Sequence, residues 1–420
     1  MSLDLLYMED YSSGEEVAFS SAQHIEGLVS AIWTERYQDP GDFELRFADV
    51  QYGMNWCPPT GLLAVRESRE IMQITSIEVE DTDDRGKELV VRGESYAHQL
   101  LKNRYIPYKV DANYNKKFKM PKQYYLDQVC CVLAWNSLRN PVVDSFSVLS
   151  NPDIININAF TVDDLLVSNS VTAGPGRPAA WLSRNRWLQA GPVYDKFMDF
   201  LVRGDMGVRT IRPSLREHFL YGNIRIVDVA TGALTRGDYS HASPTAVQDD
   251  KMVFDIYKGY DLSVNNTQGN IPVAWSVSAG HLDDTAYLTD ISDFYSIADV
   301  RSGWGNKFVY RSTWYAGAQL RALYVDGGAP DENENLNDFY NDLDQVGEMA
   351  LKQHRRREAI TTTVSQASPW KYGQHYGLGD RVTVLGEYGY VRDMIVTEFT
   401  RAWDDEGYRE FPGLSMPNEL

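Results

Sequence analysis

Cysteine is scarce in this sequence. Its 420 residues contain three cysteines, Cys57, Cys130 and Cys131, which are too few for a disulfide framework. Cys130 and Cys131 are adjacent in an apolar run with helical spacing, so we expect buried, reduced thiols. The core must then be held by apolar packing, and a composition with 43% hydrophobic and 12% aromatic residues is that of a folded, globular chain.

Long apolar runs are also missing. No stretch approaches the ~18 apolar residues of a membrane span. The first residues, MSLDLLYMEDYSSGEE, lack the basic region and the apolar core of a signal peptide. We therefore expect a protein that is made in the cytoplasm and has no membrane anchor of its own.

Motifs for catalysis, metal binding and cofactor binding are absent from the sequence. It contains no G-x-S-x-G, no H-E-x-x-H, no paired C-x-x-C and no glycine-rich phosphate loop, and its seven histidines are scattered. A glycosidase needs two carboxylates at a set separation, and the sequence gives no means of choosing them. We predict a protein that is not an enzyme, with no catalytic residue, no metal and no cofactor.

Positive charge is low, since 40 Lys and Arg stand against 59 Asp and Glu, for a net charge of -19. This balance argues against nucleic acid as a bound partner, although an acidic wall lets DNA pass without holding it. The one basic run, KQHRRRE, places Arg355, Arg356 and Arg357 at the end of a helix predicted over 337–359. Two interpretations remain, a solvated helix face and a contact with a subunit or with DNA.

Aromatic residues are abundant, and several surround one turn near the start of the chain. In AIWTERYQDPGDFELRF, residues 31–47, Pro40 and Gly41 set a turn between two predicted strands. The aromatic residues around this turn are expected to supply buried area there or against another subunit; they are Trp33, Tyr37, Phe43 and Phe47. A ligand site is the alternative that we favour less.

Two stretches near opposite ends of the chain follow one pattern. Residues 61–86 and 379–407 each have a glycine, a strand, a turn, a second strand and an Asp-rich turn closed by glycine. The second stretch begins with Gly379 and Asp380, and Glu78 and Glu398 take equivalent places in the pattern. This predicts one hairpin module used twice, and hence two similar small β-barrels. Two unrelated hairpins with common turn chemistry are the alternative.

The pattern of elements predicts a mixed α+β, multi-domain fold. Short alternating strands are interrupted by helices predicted over 121–138, 192–203 and 337–359. The expected domains are a first antiparallel β-barrel (1–110), a helical and irregular α+β insertion (111–210), a β-rich middle domain (211–330), and a helix with the hairpins of a second barrel (331–420). This second barrel is expected to be discontinuous and to share strands from 211–330.

Four stretches, in this order, resemble the minor tail proteins, or tail-hub proteins, of long-tailed bacteriophages. They are IWTERYQDPGDFELRF, VRESREIMQITSIEVEDTDDRGKELVVRGESYAHQLLKNRYI, VFDIYKGYDLS and YGLGDRVTVLGEYGYVRDMIVTEFTRAWDDEGYREFPGL. The order of the stretches carries the resemblance, since none is diagnostic alone. Residues 140–190 and 255–335 are the least similar.

The resemblance implies a homotrimeric baseplate hub at the tail tip of a virion, made in the host bacterial cytoplasm. Two related barrels in each chain would give six barrels against a sixfold tail tube, and the α/β portions would narrow the symmetry to threefold. The implied partners are distal tail or tail-tube proteins, the tape measure protein and downstream tip or fibre proteins, with genomic DNA only in passing.

The alternative is a carbohydrate-binding or cell-wall-degrading tip protein, because exposed aromatic rings stack on sugars. The tryptophans that favour it are Trp181, Trp187, Trp304, Trp314 and Trp370.

Overall fold

The structure is a computed structural model. It describes residues 3–7, 23–65, 68, 70–82, 86–104, 109–110, 116–120, 125–134, 137–138, 165–169, 171, 186–189, 191–211, 226–227, 234–235, 252–310, 320–329, 336–354, 357–365, 368–387 and 390–415.

The first part of the chain contributes seven strands to the main sheet and contains two short helices. Its elements are β1 (Leu3–Tyr7), β2 (Gln23–Ile25), β3 (Leu28–Arg36), β4 (Asp42–Phe47), α1 (Val50–Trp56), β5 (Leu62–Val65), β6 (Ile71–Thr82), β7 (Gly86–Ser95) and α2 (Tyr96–Lys102). In β4 every second residue is buried, as its alternating sequence predicts. Helix α1 begins where the Asp49 side chain accepts a hydrogen bond from the N–H of Tyr52, at 2.9 Å.

The middle part mixes helices with short strands. Its elements are β8 (Lys109–Val110), β9 (Lys116–Met120), α3 (Leu126–Ala134), β10 (Leu165–Asn169), β11 (Arg186–Gln189), α4 (Val193–Gly204), β12 (Gly207–Ile211), β13 (Ile226–Val227), β14 (Leu234–Thr235) and β15 (Met252–Tyr257). Helix α4 follows Pro192 and buries the apolar side predicted for it, Val193, Phe197, Phe200 and Leu201. All three cysteines are buried and none forms a disulfide; the burial of Cys130 and Cys131 was predicted.

The last part holds a small α/β unit and six further strands of the main sheet. Its elements are β16 (Ala274–Ser276), β17 (Leu282–Asp290), β18 (Ile297–Ser302), β19 (Gly305–Tyr310), β20 (Ala322–Asp326), α5 (Leu336–Gln353), β21 (Arg357–Val364), β22 (Arg381–Leu385), β23 (Val391–Asp404) and β24 (Gly407–Ser415). Strands β19, β18 and β20 form a separate sheet. Helix α5 covers one face of it, burying Phe339 and Leu343 against Ala298 and Val300.

The helix predicted over 337–359 is wrong at its C-terminal end. Helix α5 ends at Gln353, and Arg357 begins β21, where it lies opposite Asp290 of β17. The buried side of the helix ends at Leu351, and the following run AITTTV is rich in β-branched residues, which favour a strand. Arg357 therefore does not cap a helix, and Arg355 and Arg356 lie outside the described residues.

The main sheet runs in the order β17-β21-β24-β23-β3-β4-β7-β6-β5-β1-β2, with β22 on β23 and β16 on β22. The mixed α+β, sheet-rich architecture predicted from the sequence is confirmed. Among the described strands no pairing closes this sheet on itself, so the two closed barrels are not confirmed. The division into four domains stays a prediction.

Candidate assembly interface

The main sheet contains the same five-strand arrangement twice. Repeat 1 consists of β3, β4, β5, β6 and β7, and repeat 2 of β17, β21, β22, β23 and β24. In each repeat the first strand pairs with the second, the second with the fifth, the fifth with the fourth and the fourth with the third. The sequence echo revealed only part of this duplication. In repeat 2 the α/β unit of β18–β20 and α5 is inserted between the first two strands.

Matching hydrogen bonds hold the third strand of each repeat to the fourth. In repeat 1 the N–H of Ile74 donates to the carbonyl of Gly61 at 2.9 Å, and in repeat 2 the N–H of Val396 donates to that of Asp380 at 3.0 Å. Gly61 is therefore equivalent to Asp380. The pattern match that aligned Gly61 with Gly379 is wrong by one residue.

Unusual backbone conformations also recur at equivalent positions. Thr60 and Gly379, which precede the paired residues, both have positive φ, 65° and 84°. Gly86 and Gly407 begin the fifth strands with φ of 77° and 113°. Positive φ is rare outside turns and is costly for threonine. Its recurrence at both places supports one module used twice over two unrelated hairpins.

A β-bulge fixes the alignment of the two fourth strands. Pairing with the fifth strand shifts register at Thr75 in repeat 1 and at Thr397 in repeat 2. The bulge places Glu398 with Ser76, so the predicted equivalence of Glu78 and Glu398 is wrong by two residues. Glu78 lies three residues after the bulge at Thr75, and Glu398 lies one residue after the bulge at Thr397. A match of residue types does not detect this difference.

The two repeats meet where β3 pairs antiparallel with β23. The pairing runs from Arg36 opposite Glu398 to Ala31 opposite Trp403. The guanidinium Nε of Arg36 donates to the Glu398 carboxylate at 2.8 Å, and its Nη1 donates to the carbonyl of Pro40 at 2.8 Å. One cation thus connects the predicted turn, the first repeat and the second repeat. We call the β3·β23 contact the joint.

A buried ion pair lies in the joint. Arg401 donates to Glu35, and their side chains are 1% and 4% exposed. The hydroxyl of Tyr372 donates to the other oxygen of Glu35 at 2.9 Å. The Arg401 guanidinium lies 4.7 Å from the ring centre of Phe399, and Tyr372 stacks on the same ring at 3.8 Å. The buried charge is therefore enclosed by one carboxylate and two rings.

Arg401 and Tyr372 were not predicted from the sequence, although the strand pattern contained a signal for the ion pair. Alternation in β3 puts Glu35 in phase with the buried Trp33, and alternation in β23 puts Arg401 in phase with the buried Phe399. A charged residue in the apolar phase of each of two strands indicates a buried pair. Nothing in the sequence showed that these two strands are neighbours.

The four aromatic residues of the opening segment are buried within the chain. Their exposed fractions are at most 2%: Trp33, Tyr37, Phe43 and Phe47. Trp33 stacks on Phe43 with ring centres 5.3 Å apart and planes inclined by 15°. Tyr37 belongs to the core of repeat 2, and its hydroxyl donates to the carbonyl of Asp205 at 2.7 Å. These four side chains therefore pack inside one chain, in the cores on both sides of the joint.

Gly41 occupies a position without room for a side chain. A Cβ there would lie 2.5 Å from the carbonyl oxygen of Thr34. The N–H of Gly41 donates to the Ser95 hydroxyl at 2.7 Å, which ties the turn after Pro40 to the end of β7. The predicted turn is therefore built by close backbone approach.

Gly379 and Asp380 lie against the opening segment, although the sequence separates them widely. A Cβ on Gly379 would lie 2.4 Å from the ring of Tyr37. The Asp380 carboxylate accepts hydrogen bonds from the N–H groups of Tyr260 and Gly377, both at 2.7 Å. Burial raises the pKa of Asp380 to about 6. The structure thus brings together Tyr37 and Gly379, two residues predicted from opposite ends of the chain.

Glu70 is a second buried carboxyl beside the joint. Burial, and then the nearby charge of Glu35, raise the pKa of Glu70 to about 8, against the opposing effects of Ser95, Arg209 and Arg36. The Glu70 carboxyl is therefore protonated at neutral pH, because ionising it would put a second negative charge in a dry site.

We expect Glu70→Gln to flatten the pH dependence of stability. The folded protein keeps this proton up to about pH 8, whereas an unfolded glutamate releases it near the ordinary value of 4.5. Stability therefore falls as the pH rises between these values, by at most about 1.4 kcal/mol per pH unit. Urea denaturation at pH 5, 7 and 9 measures the free energy of unfolding. At pH 5 the parent and the variant should have similar values, and at pH 9 the value of the variant should be higher.

The matched control for Glu70→Gln is Glu26→Gln at an exposed glutamate, which should leave the curve unchanged. Equal pH profiles for the parent and Glu70→Gln would contradict a protonated Glu70.

The part of the chain that the structure describes contains no group of histidine, cysteine or carboxylate side chains arranged to hold a metal ion. Within the same part, no helix has the length and apolarity needed to cross a membrane.

Each of the two strands in the joint has an equivalent strand in the other repeat, and the joint does not use these equivalents. It uses the first strand of repeat 1 and the fourth strand of repeat 2. The equivalent strands, β17 and β6, lie towards opposite ends of the sheet. No described strand pairs with the outer edge of β17, or with β6 beyond Gln73 on the side opposite β7. Among the described strands, both halves of a second joint are therefore without a strand partner on these edges.

Comparison with known proteins finds one matching family. The profile of the family described as Siphovirus ReqiPepy6 Gp37-like protein matches residues 16–411. No curated protein matches the sequence.

Two solved structures are similar along almost their whole length. The tail protein from Neisseria meningitidis MC58 aligns with a TM-score of 0.51 and 11% identity, over 99% of this chain and 95% of that chain. The 43 kDa tail protein of prophage MuSo2 from Shewanella oneidensis aligns with a TM-score of 0.51 and 11% identity, over 100% of this chain and 99% of that chain. At this identity the likeness shows a shared fold.

Proposed function

Because the chain belongs to the Siphovirus ReqiPepy6 Gp37-like protein family, we propose that it is a structural protein of the virion tail and forms the trimeric hub at the tail tip. The observation that carries this proposal is the duplicated five-strand unit, with one joint made inside the chain and the halves of a second joint left open. The shared fold with two solved tail proteins supports the tail assignment.

A duplicated unit with open ends favours a closed ring of copies. A head-to-tail contact that repeats by rotation closes into a ring. Three chains would present six repeats to a sixfold tail tube, while the inserted α/β unit, which occurs once in each chain, would keep threefold symmetry towards the tip. The ring would thus connect a sixfold tail tube to threefold components at the tail tip.

The size of such a ring suits a channel. Each copy would contribute the eight strands from β6 to β17. With strands about 4.8 Å apart, three copies would enclose a lumen about 35–45 Å across between backbones. That is far wider than a barrel whose interior is filled by side chains, so the ring would leave an open passage.

The polar face of the sheet has the charge expected of a channel wall that does not retain DNA. It includes the carboxylates of Asp42, Glu44, Glu78, Glu80, Glu88, Glu94, Glu398 and Asp404 and the guanidiniums of Arg36, Arg46, Arg92 and Arg409. Arg92 already bonds Glu44, Glu78 and Glu80, at 2.8, 3.0 and 3.2 Å. Cations engaged in this way are not free to bind phosphates. We propose that this face lines the DNA ejection channel.

The expected neighbours follow from this place in the tail. They are distal tail or tail-tube proteins, the tape measure protein and downstream tip or fibre proteins, with DNA only in passing. The protein would act by assembly, not by catalysis. The two repeats would correspond to the two small barrels expected from the sequence.

The purified protein is expected to be a ring of three chains. Native mass spectrometry should give a species about three times the 47.7 kDa chain mass, and electron microscopy should show a ring with a central opening. A chain that stays monomeric at every concentration, or that is absent from purified virions, would contradict the proposal.

Carbohydrate binding is a second candidate, favoured by exposed aromatic rings on the α/β unit. Trp304, Phe308 and Tyr324 are 60%, 45% and 68% exposed, and Phe308 and Tyr324 lie on either side of Asp299 in the sheet. Of the other tryptophans considered, Trp370 is partly buried and its Nε1 donates to the carbonyl of Ala274 at 2.8 Å. A glycan array on the intact protein would separate the candidates, because a purely structural hub should bind none.

A further inference from the structure

The open strand β17 is the counterpart of β3. Both strands are nine residues long, Leu28–Arg36 and Leu282–Asp290. Following the pairing from strand to strand through each repeat places Trp33 with Tyr287, Thr34 with Leu288 and Arg36 with Asp290. The residue after each strand, Tyr37 or Ile291, takes the next equivalent place.

Equivalent residues differ sharply in exposure at the joint and at the open end. The joint residues are buried, with exposed fractions of 0% for Trp33, 4% for Thr34 and 2% for Tyr37. Their counterparts are exposed by 39%, 55% and 57%; these are Tyr287, Leu288 and Ile291. Large apolar residues exposed together along an edge strand indicate a surface that another strand covers.

The edge of β6 that would pair with β17 can be identified residue by residue. By the bulge alignment, residues 76–81 of β6 are the counterpart of residues 398–403 of β23, which receive β3 in the joint. Ser76, Glu78 and Val79 are exposed there, and Val79 has an exposed fraction of 43%. Strand β5 pairs with β6 only as far as Gln73. No described strand pairs with the rest of this edge.

We infer that β17 of one copy pairs antiparallel with β6 of the next copy, in the register of the joint. This contact rests on the trimeric ring proposed above and specifies how its subunits meet. The register predicts six opposite pairs, the second residue of each belonging to the next copy: Asp290 and Ser76, Thr289 and Ile77, Leu288 and Glu78, Tyr287 and Val79, Ala286 and Glu80, and Thr285 and Asp81.

The side chains favour this register over its neighbour. It sets Tyr287 against Val79, so that two exposed apolar residues cover each other, and no carboxylate faces a carboxylate. A shift of two residues is the smallest that keeps the same faces together. In one direction it would set Asp290 against Glu78, and in the other against Ile74, whose N–H already bonds the carbonyl of Gly61. Like charges directly opposite each other destabilise a strand pair. The contact is thus fixed by both the backbone and the side chains.

Engineered cysteines test the pairing and its register. The three native cysteines are buried, so new surface cysteines react alone. Opposite Cα atoms of an antiparallel pair are about 4.5–5.5 Å apart, which a disulfide spans. The double variants Tyr287→Cys/Val79→Cys and Leu288→Cys/Glu78→Cys should, on mild oxidation, shift almost completely on a non-reducing gel to a covalent species of three chains.

The matched controls recombine the same four substitutions. Tyr287→Cys/Glu78→Cys and Leu288→Cys/Val79→Cys should not cross-link, because adjacent residues of a strand point to opposite faces. Native mass spectrometry of the reduced samples reports assembly independently.

Three results would overturn the inference. Trimers in which neither matched pair cross-links would refute the strand contact while leaving the trimeric hub in place. Equal cross-linking of matched and recombined variants would show random collision. Reduced samples that are monomeric throughout would refute the hub, and this contact with it.

Discussion

Replacing Arg401 by methionine is expected to lower the free energy of unfolding by about 3–5 kcal/mol, because it leaves the carboxylate of Glu35 charged and buried without its cation. Methionine keeps much of the side-chain volume, so the loss reports on charge more than on packing. The Glu35 side chain is 4% exposed, and solvent cannot take the place of the guanidinium. Urea denaturation at neutral pH measures the loss directly.

A second substitution separates the buried charge from the rest of the site. Glu35→Gln combined with Arg401→Met removes both charges and should recover much of the stability that the single substitution loses. The matched control is Arg409→Met on the neighbouring strand, whose guanidinium pairs with Asp404 and Glu406 at the solvent-accessible surface; each such pair is worth less than about 1 kcal/mol. An Arg401→Met loss as small as that of the control would mean that water reaches Glu35.

The joint also shows how far the sequence predicts this fold. The echo between 61–86 and 379–407 identified the third and fourth strands of both repeats, because their turn residues and strand spacing match. The matching glycines misled the alignment, since positive φ is required at Thr60 and Gly379, whereas Gly61 is equivalent to Asp380. Residue types predicted the module, and backbone hydrogen bonds were needed to place its register.

The first strands of the repeats could not be related from the sequence, for a physical reason. Strand β3 is covered by β23 and needs buried side chains such as Trp33, whereas β17 is open in the isolated chain and carries Tyr287 and Leu288. Equal backbone paths in unequal surroundings select different residues. The α/β insertion also separates β17 from β21, so the hairpin that β3 and β4 form locally is assembled from distant segments in repeat 2.

The sequence indicated several of the residues at the candidate site, but not which strands bring them together. The sequence correctly singled out the segment around Pro40 and Gly41 as a place where aromatic residues and charges concentrate. Within that segment Arg46 bonds Glu44, a near neighbour in the sequence, at 2.8 Å. The partner of Glu35 is Arg401, however, from the opposite end of the chain. A pairing over that separation follows from strand order, which local pattern does not encode.

Replacing Trp33 by alanine is the second change expected to have a large effect, a loss of about 3–5 kcal/mol in the free energy of unfolding. The side chain is fully buried, stacks on Phe43 and lies opposite Arg401 in the joint. Its removal leaves a cavity beside the buried ion pair, so the lost packing is compounded by weaker exclusion of water from a charge. Urea denaturation monitored by far-ultraviolet circular dichroism measures the loss without depending on tryptophan fluorescence.

The control for Trp33→Ala uses the same residue type on an exposed surface. Trp304 is 60% exposed on the α/β unit, and Trp304→Ala should change stability by no more than about 0.5 kcal/mol. If the two substitutions cost the same, Trp33 is not part of a tightly packed core. If Trp33→Ala and Arg401→Met combine to cost less than the sum of their separate losses, the ring and the ion pair stabilise one unit. The joint between the repeats would then be a single cooperative contact, and its open counterpart, with Tyr287 in the place of Trp33, would have to obtain its stability from the next copy of the chain.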